Sequence, residues 1–189
     1  MKIRKTKFKD LMIVNGIKHQ DKRGYLRELI LEKLIKRKFK FQIQSVSKKN
    51  VLRGLHFQAP PFAQGKLVRV IQGSVLDVVV DIRPQSNTYG KYESVLLSGE
   101  NKIQFWIPPG FAHGFVTLEN NTIFCYKCTG PYSKESEGAI LWNDTQLNID
   151  WNIEQPIVSS KDQEAELFKN FMRSRTSGSI DIFLIIIAK

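Results

Sequence analysis

The chain is short of the residues that would mark a metal centre or a cross-linked scaffold. Its 189 residues include only two cysteines and three histidines. Cys125 and Cys128 have CxxC spacing, but no second pair completes a zinc site. Their segment, TIFCYKCTG, reads as a strand, where residues three apart point to opposite faces. They are expected as free thiols, the state a reducing cytosol maintains. Long apolar runs are scarce too. The run from Ile180 to Ala188 is too short to span a bilayer, and the basic start is not followed by the apolar stretch of a secretory leader. A cytoplasmic protein without a membrane partner is expected. Acidic residues are outnumbered, 18 against 29 Lys+Arg, for a net charge of +11. That excess suits nucleic acid, an anionic membrane or a phosphorylated small ligand. Its runs, Lys2–Lys9 and Lys33–Lys40, are not interleaved with aromatics as a single-strand groove would be. No helix-turn-helix, finger or RNP-like pattern occurs. A nucleic-acid partner is not expected, and most of the charge is read as solvated surface.

What is present is a series of short apolar runs punctuated by Gly, Pro and Asn. Strands are predicted at 24–31, 39–47, 51–57, 66–72, 74–81, 92–97, 102–107, 111–118 and 122–127. Only Gly73 separates two of them, which signals a bend or bulge. In the second of that pair, Leu76, Val78 and Val80 should line one face, with Val75, Asp77 and Val79 on the other. This rhythm argues for a sandwich or barrel. A short helix is plausible at Leu29–Arg37. A longer one is predicted over Ser160–Arg173, with Ser160 and Gln163 as a capping box. The Arg/Ser/Thr/Gly block after Arg173 reads as a linker. Residues 1–173 are therefore expected as one domain and 174–189 as a tail.

The stretch VLRGLHFQAPPFAQGK holds Arg53, His56 and Lys66 around a proline-rich turn. A hairpin there would aim His56 and Lys66 into one pocket. Histidine carries protons near neutral pH, and a lysine holds charge developing on oxygen. Singly, each residue is ordinary: a histidine in a strand is more often structural, and a lysine after a turn is usually solvated. Further along, WIPPGFAHGF supplies His113, FCYKCT supplies Tyr126, GPY supplies Tyr132, and Glu137 follows. DKRGYLRE carries Arg23 and Glu28, and SSKD carries Lys161 and Asp162. Asp162 also fits the first turn of a helix, which favours an acid. A metal-dependent cupin would place a second histidine two residues after His56, where Gln58 stands. Histidine among cations makes a poor metal cage and a good anion cage.

Together, RGLHFQ, the QGK whose lysine lies ten residues after His56, GSVLDVVVDIR, WIPPGFAHGF, the Tyr126 segment and SSKD follow a familiar order. They resemble the dTDP-4-dehydrorhamnose 3,5-epimerase family, and DKRGYLRE resembles its N-terminal D-x-R-G-x-x-x-E. The resemblance covers about residues 13–162. It implies an all-β, cupin-type jelly-roll barrel with a few short, mainly C-terminal helices. It implies no metal or cofactor, a homodimer, and a nucleotide-diphosphate sugar as substrate. The implied chemistry is inversion at C3 and C5 of a 4-keto-6-deoxy sugar. By the same resemblance, His56 is the general base, Asp162 its partner, Lys66 the enolate stabiliser and Tyr126 the proton donor. Tyr132 stacks near the nucleotide. Arg23, Glu28, Arg53, His113, Glu137 and Lys161 contact the phosphates, base or sugar, Arg23 from the partner subunit.

One departure bears on specificity. The family commonly places Gln and Asn, as Q-x-N-x-S, where counting back from His56 gives Phe41, Ile43 and Ser45. A shifted register would substitute Gln42 and Gln44, and a one-residue slip reverses the faces of a strand. The alternatives are a single-site 3- or 5-epimerase, a non-catalytic sugar-nucleotide-binding cupin, a metal-dependent cupin oxygenase and a 3,4-ketoisomerase.

Overall fold

The computed structural model describes residues 2–29 and 35–176. Two sheets lie face to face, antiparallel except for the short parallel pairing of one C-terminal strand. The first has the order β1 (Lys2–Lys5), β2 (Met12–Asn15), β10 (Gln104–Ile107), β7 (Lys66–Gln72), β12 (Thr122–Cys128) and β5 (Phe41–Ser47). The second runs β13 (Glu137–Ala139), β6 (Val51–Gln58), β11 (Phe111–Thr117), β8 (Ser74–Asp81) and β9 (Tyr92–Ser98), with β14 (Ile157–Val158) alongside β6. A separate hairpin pairs β3 (Lys18–Asp21) with β4 (Gly24–Arg27). The chain keeps crossing between the sheets, as in a jelly roll, and the expected all-β cupin-type class is observed.

The strand β8 shows why the second sheet is so apolar. Val75 and Val79 pack between the sheets with Val68, Val70, Phe105 and Phe124 of the first. Leu76, Val78 and Val80 point the other way, into a second core closed by Ile140, Leu147, Trp151, Phe168 and Phe171. Both faces are covered, so the strand needs no polar alternation. The predicted division of its faces holds. Gly73, at φ 76°, turns the chain from one sheet into the other. A Cβ there would sit 2.4 Å from the Thr122 hydroxyl, so only glycine fits this corner.

Four expectations are corrected. β6 and β7 do not form a hairpin: β6 pairs with β11 and β13, and β7 with β10 and β12, in the opposite sheet. The seven-residue connection carries Pro60 and Pro61, which offer no N–H for a tight turn, and it crosses between the sheets instead. The C-terminal helix is two helices, α1 (Ser160–Gln163) and α2 (Phe168–Thr176). Between them Glu166 bridges Ile140 and accepts from the Leu141 N–H at 2.8 Å, and the Asp144 carboxylate takes the Phe168 N–H at 2.9 Å. Tertiary partners thus interrupt the helical pattern. The α1 cap is Ser159, not Ser160. The strand predicted at 24–31 ends at Arg27. Residues 30–34 of the predicted 29–37 helix, and 177–189 of the tail, lie outside the described residues.

Candidate active site

The site begins with an irregularity in β6. In a regular strand Arg53 and His56, three apart, would face opposite ways. Here His56 lies opposite His113 and Arg53 opposite Phe115, so β6 carries one extra residue and both side chains face between the sheets. The bulge falls at Gly54, at φ 127°, where a Cβ would meet the Gly114 Cα at 2.4 Å and the His113 carbonyl at 2.8 Å. The glycine of RGLH is what lets one strand present both groups.

His56 reaches its carboxylate at long range. Its Nε2 donates to Asp162 Oδ1 at 2.6 Å, and Asp162 Oδ2 accepts from the Gly54 N–H at 3.4 Å. Asp162 is held by α1, whose cap Ser159 takes the Asp162 N–H on its hydroxyl at 3.2 Å. The Asp162 side chain is 4% exposed, while His56 is 31% exposed. Burial alone would raise the Asp162 carboxyl, but the bonds from His56, Gly54 and Ser159 outweigh it and hold the group below its ordinary range. A carboxylate only accepts, so Nε2 keeps its proton and the lone pair sits on Nδ1. An oriented, half-open imidazole with a buried counter-ion is suited to taking a proton.

The opposite sheet supplies the rest. Lys66 on β7 and Tyr126 on β12 share one face, with the Lys66 ammonium 5.9 Å from the Tyr126 ring centre. Burial pushes Lys66 down from its ordinary value, and Cys128, Asp77 and Glu137 pull it partly back. Tyr126 is half-buried, and its phenol is raised by burial and then by Cys128, so it holds its proton. Phe41 and Ile43 share this face: in the β5–β12 register Ile43 lies opposite Tyr126 and Ser45 opposite Phe124. Gln42 and Gln44 point away, and Gln44 takes the Cys125 thiol at 3.4 Å. Ser45 Oγ, on the site face, has no hydrogen-bond partner among the described residues. Cys125 and Cys128 are unpaired, buried and on opposite faces of β12, as expected.

Behind His56 sits a second histidine–carboxylate pair. His113 Nε2 donates to both Asp77 oxygens, at 2.9 and 3.1 Å, and the two side chains are 6% and 0% exposed. Burial lowers His113 despite Asp77, and raises Asp77 despite His113 and Lys66. The Phe115 and Phe124 rings stack at 4.1 Å beneath, tying the two sheets together. Toward solvent, Glu137 on β13 accepts from Lys161 Nζ at 2.7 Å and from the Tyr132 hydroxyl at 3.1 Å. Arg53 donates to the Ser47 hydroxyl at 3.3 Å, and its charge also bears on Tyr126.

Arg23 and Glu28 stand apart. Arg23 is at the tip of the β3–β4 hairpin, 84% exposed and paired with Asp21, and the exposed Glu28 follows the hairpin beside Gly16. Among the described residues no hydrogen bond joins either to the other site groups. The sequence marks Gln58 only as the residue standing where a metal-dependent cupin has histidine, and gives no site role to Asp77 or Ser159. Asp77 could have been found as the one acid within residues 75–80 of β8, which are otherwise Val and Leu. Among the described residues no three His, Cys, Asp or Glu side chains gather in a group able to hold a metal, and no helix is long and apolar enough to cross a membrane.

Residues 5–170 match the family described as dTDP-4-dehydrorhamnose 3,5-epimerase. The chain is 51% identical over 170 residues to the enzyme of that name from Salmonella typhimurium, covering 86% of this chain and 93% of the relative. The crystal structure of the Elizabethkingia anophelis NUHP1 enzyme superposes with a TM-score of 0.87 at 46% identity, covering 90% of this chain and 97% of that one. The dTDP-6-deoxy-D-glucose-3,5-epimerase of Legionella pneumophila Philadelphia 1, solved with dTDP-4-keto-L-rhamnose, gives 0.84 at 46% identity, with 89% and 93% covered.

Proposed function

The chain belongs to the dTDP-4-dehydrorhamnose 3,5-epimerase family, and on that premise we propose how its residues divide the reaction. It is an isomerase that acts on a dTDP-linked 4-keto-6-deoxy sugar in the dTDP-rhamnose pathway. The C4 ketone acidifies the hydrogens on C3 and C5. His56 Nδ1 removes one of them, and Asp162 stabilises the imidazolium that results. Charge moves to the C4 oxygen, where the Lys66 ammonium favours it in a water-poor pocket. Tyr126 returns a proton from the other side of the ring, which inverts the centre. Solvent then takes the proton from His56 and returns one to Tyr126, and the second centre follows by the same steps. One observation carries this reading: base and acid stand on different sheets that face each other, His56 on β6 and Tyr126 on β12.

Arg53, Tyr132, Glu137 and Lys161 form the binding wall, and the buried His113 backs it from behind. Arg23 and Glu28 complete it from a second copy of the chain. Among the described residues the β3–β4 hairpin pairs with no third strand, and it exposes Tyr25 and Leu26; a lone hairpin is marginal in water. Docking on a partner subunit would cover it, so a homodimer is the working assembly. Ultracentrifugation giving the mass of one chain would remove this part. Residues 1–173 act as one domain, because both cores run through the described part of that span. The two unpaired thiols fit the cytoplasm.

Ile43 on the site face favours a second reading, a single-site 3- or 5-epimerase. Incubation with dTDP-4-keto-6-deoxyglucose in D₂O separates the two by NMR. Deuterium at C3 and C5 with an L-configured product is expected. Label at one centre alone would assign the single-site reaction, and no label at either would overturn catalysis on this sugar.

A further inference from the structure

Tyr132 is 60% exposed, yet the chain on both sides of it is fixed. The residue before it, Pro131, accepts on its carbonyl from Gln64 Nε2 at 2.6 Å. The residue after it, Ser133, is held twice by Gln58: its carbonyl accepts from Nε2 at 2.8 Å, and its N–H donates to Oε1 at 2.8 Å. Thr129 and Gly65 exchange two further bonds, at 2.9 and 3.0 Å, where the segment leaves β12. A primary amide is the side chain that both donates and accepts in this way. Gln58 thus acts as one more rung of backbone pairing beyond the end of β6. Histidine at this position, as a metal-binding cupin would have, could not match a peptide unit at two points.

We infer that Gln58 and Gln64 are positioning residues that bracket Tyr132 and hold its ring as a preformed platform for a flat ligand group. This rests on the binding role given to Tyr132 above. Its physical content is entropic. An exposed aromatic on a slack loop must be ordered when ligand arrives, whereas a bracketed one is ordered beforehand. The bracket therefore acts on binding and leaves proton transfer at His56, Lys66 and Tyr126 alone. Gln58 shares the His56 strand, so a merely structural role would disturb His56 and lower kcat.

The test uses the full chain with Gln58→Leu, Gln64→Ala and Tyr132→Ala. dTDP affinity is read by calorimetry and the KM–kcat split with the keto sugar. Gln58→Leu and Gln64→Ala should each weaken dTDP binding and raise KM about 3- to 10-fold, the range for ordering one side chain on binding, with kcat within about twofold. Amide exchange at Ser133, followed without ligand, should accelerate at least about tenfold in Gln58→Leu. In the Tyr132→Ala background Gln58→Leu should add almost nothing. An equal loss in that background, or a fall in kcat at constant KM, would overturn the inference. Unchanged dTDP affinity in Gln58→Leu, with the parent chain binding well, would overturn the bracket alone. A parent chain that does not bind dTDP would overturn the functional reading and the platform together.

Discussion

Two histidine–aspartate pairs stand side by side, their histidines both on the second sheet. His56 and His113 are register partners on neighbouring strands, and each gives its Nε2 proton to a buried carboxylate. Their chemistry is the same and their surroundings are not. His56 is 31% exposed and its carboxylate comes from a helix far along the chain. His113 is 6% exposed and its carboxylate lies on the adjoining strand, walled in by Phe115 and Phe124. A carboxylate beside an imidazole therefore does not by itself make a base. Access to substrate, and room for charge to appear on the ring, separate the base proposed at His56 from the closed pair at His113. In the open pair the hydrogen bonds outweigh burial, so Asp162 stays ionised. In the closed pair burial wins on both partners, so His113 stays neutral and Asp77 is raised.

The contrast can be broken most directly at the histidines. His56→Asn should lower kcat by about 10²–10⁴-fold, the usual contribution of a general base, with the thermal midpoint little changed. His113→Phe should do the reverse. Leaving the Asp77 oxygens without a donor should destabilise the fold by about 1–3 kcal/mol, read by urea denaturation, with a much smaller loss of kcat. Equal losses of kcat in the two variants would end the distinction. Asp162→Asn sharpens it. The amide keeps a partner for His56 but not the charge that stabilises the imidazolium, so kcat should fall on the order of 10²-fold.

Acid should also tell the pairs apart. Burial holds His113 below its ordinary value, so below about pH 6.5 the unfolded chain takes a proton that the folded chain refuses. The His113 contribution to stability is thus complete above that pH and is lost as pH falls toward the folded value. Raised Asp77 works in the opposite sense, since the folded chain binds its proton first. The urea midpoint should fall between pH 7 and 5.5, and fall less in His113→Phe. An equal fall in both would place the acid sensitivity elsewhere. The smallest effect is expected at Ser159. Its hydroxyl caps the short helix that carries Asp162, and Ser159→Ala should cost about 1 kcal/mol.

How much of this was legible in the sequence follows from the range of the forces involved. Strand positions were readable because alternation and turn residues are local: β7 and β8 begin and end where the pattern puts them. The division of the β8 faces was readable for the same reason. Which strands pair was not. A hairpin between β6 and β7 is locally reasonable, and it is defeated by sheet partners elsewhere in the chain. The break between α1 and α2 has the same origin, because Glu166 and Phe168 answer to Ile140, Leu141 and Asp144. The bulge at Gly54 could not be inferred from alternation, yet it is what brings Arg53 and His56 to one face. Motif order pointed to His56, Lys66, Tyr126 and Asp162. It could not find Asp77 or Gln58, whose partners are supplied only by the fold. The register also decides that Phe41 and Ile43, rather than Gln42 and Gln44, share the face of Tyr126.

The central claim is that His56 and Tyr126 act from opposite sides of one sugar ring. Tyr126→Phe keeps the base and removes the opposing acid. Given dTDP-4-keto-6-deoxyglucose in D₂O, this variant should exchange hydrogen at the carbons flanking the ketone without forming the inverted product, and His56→Asn should do neither. Inversion at the parent rate in Tyr126→Phe, or undiminished exchange in His56→Asn, would contradict the account.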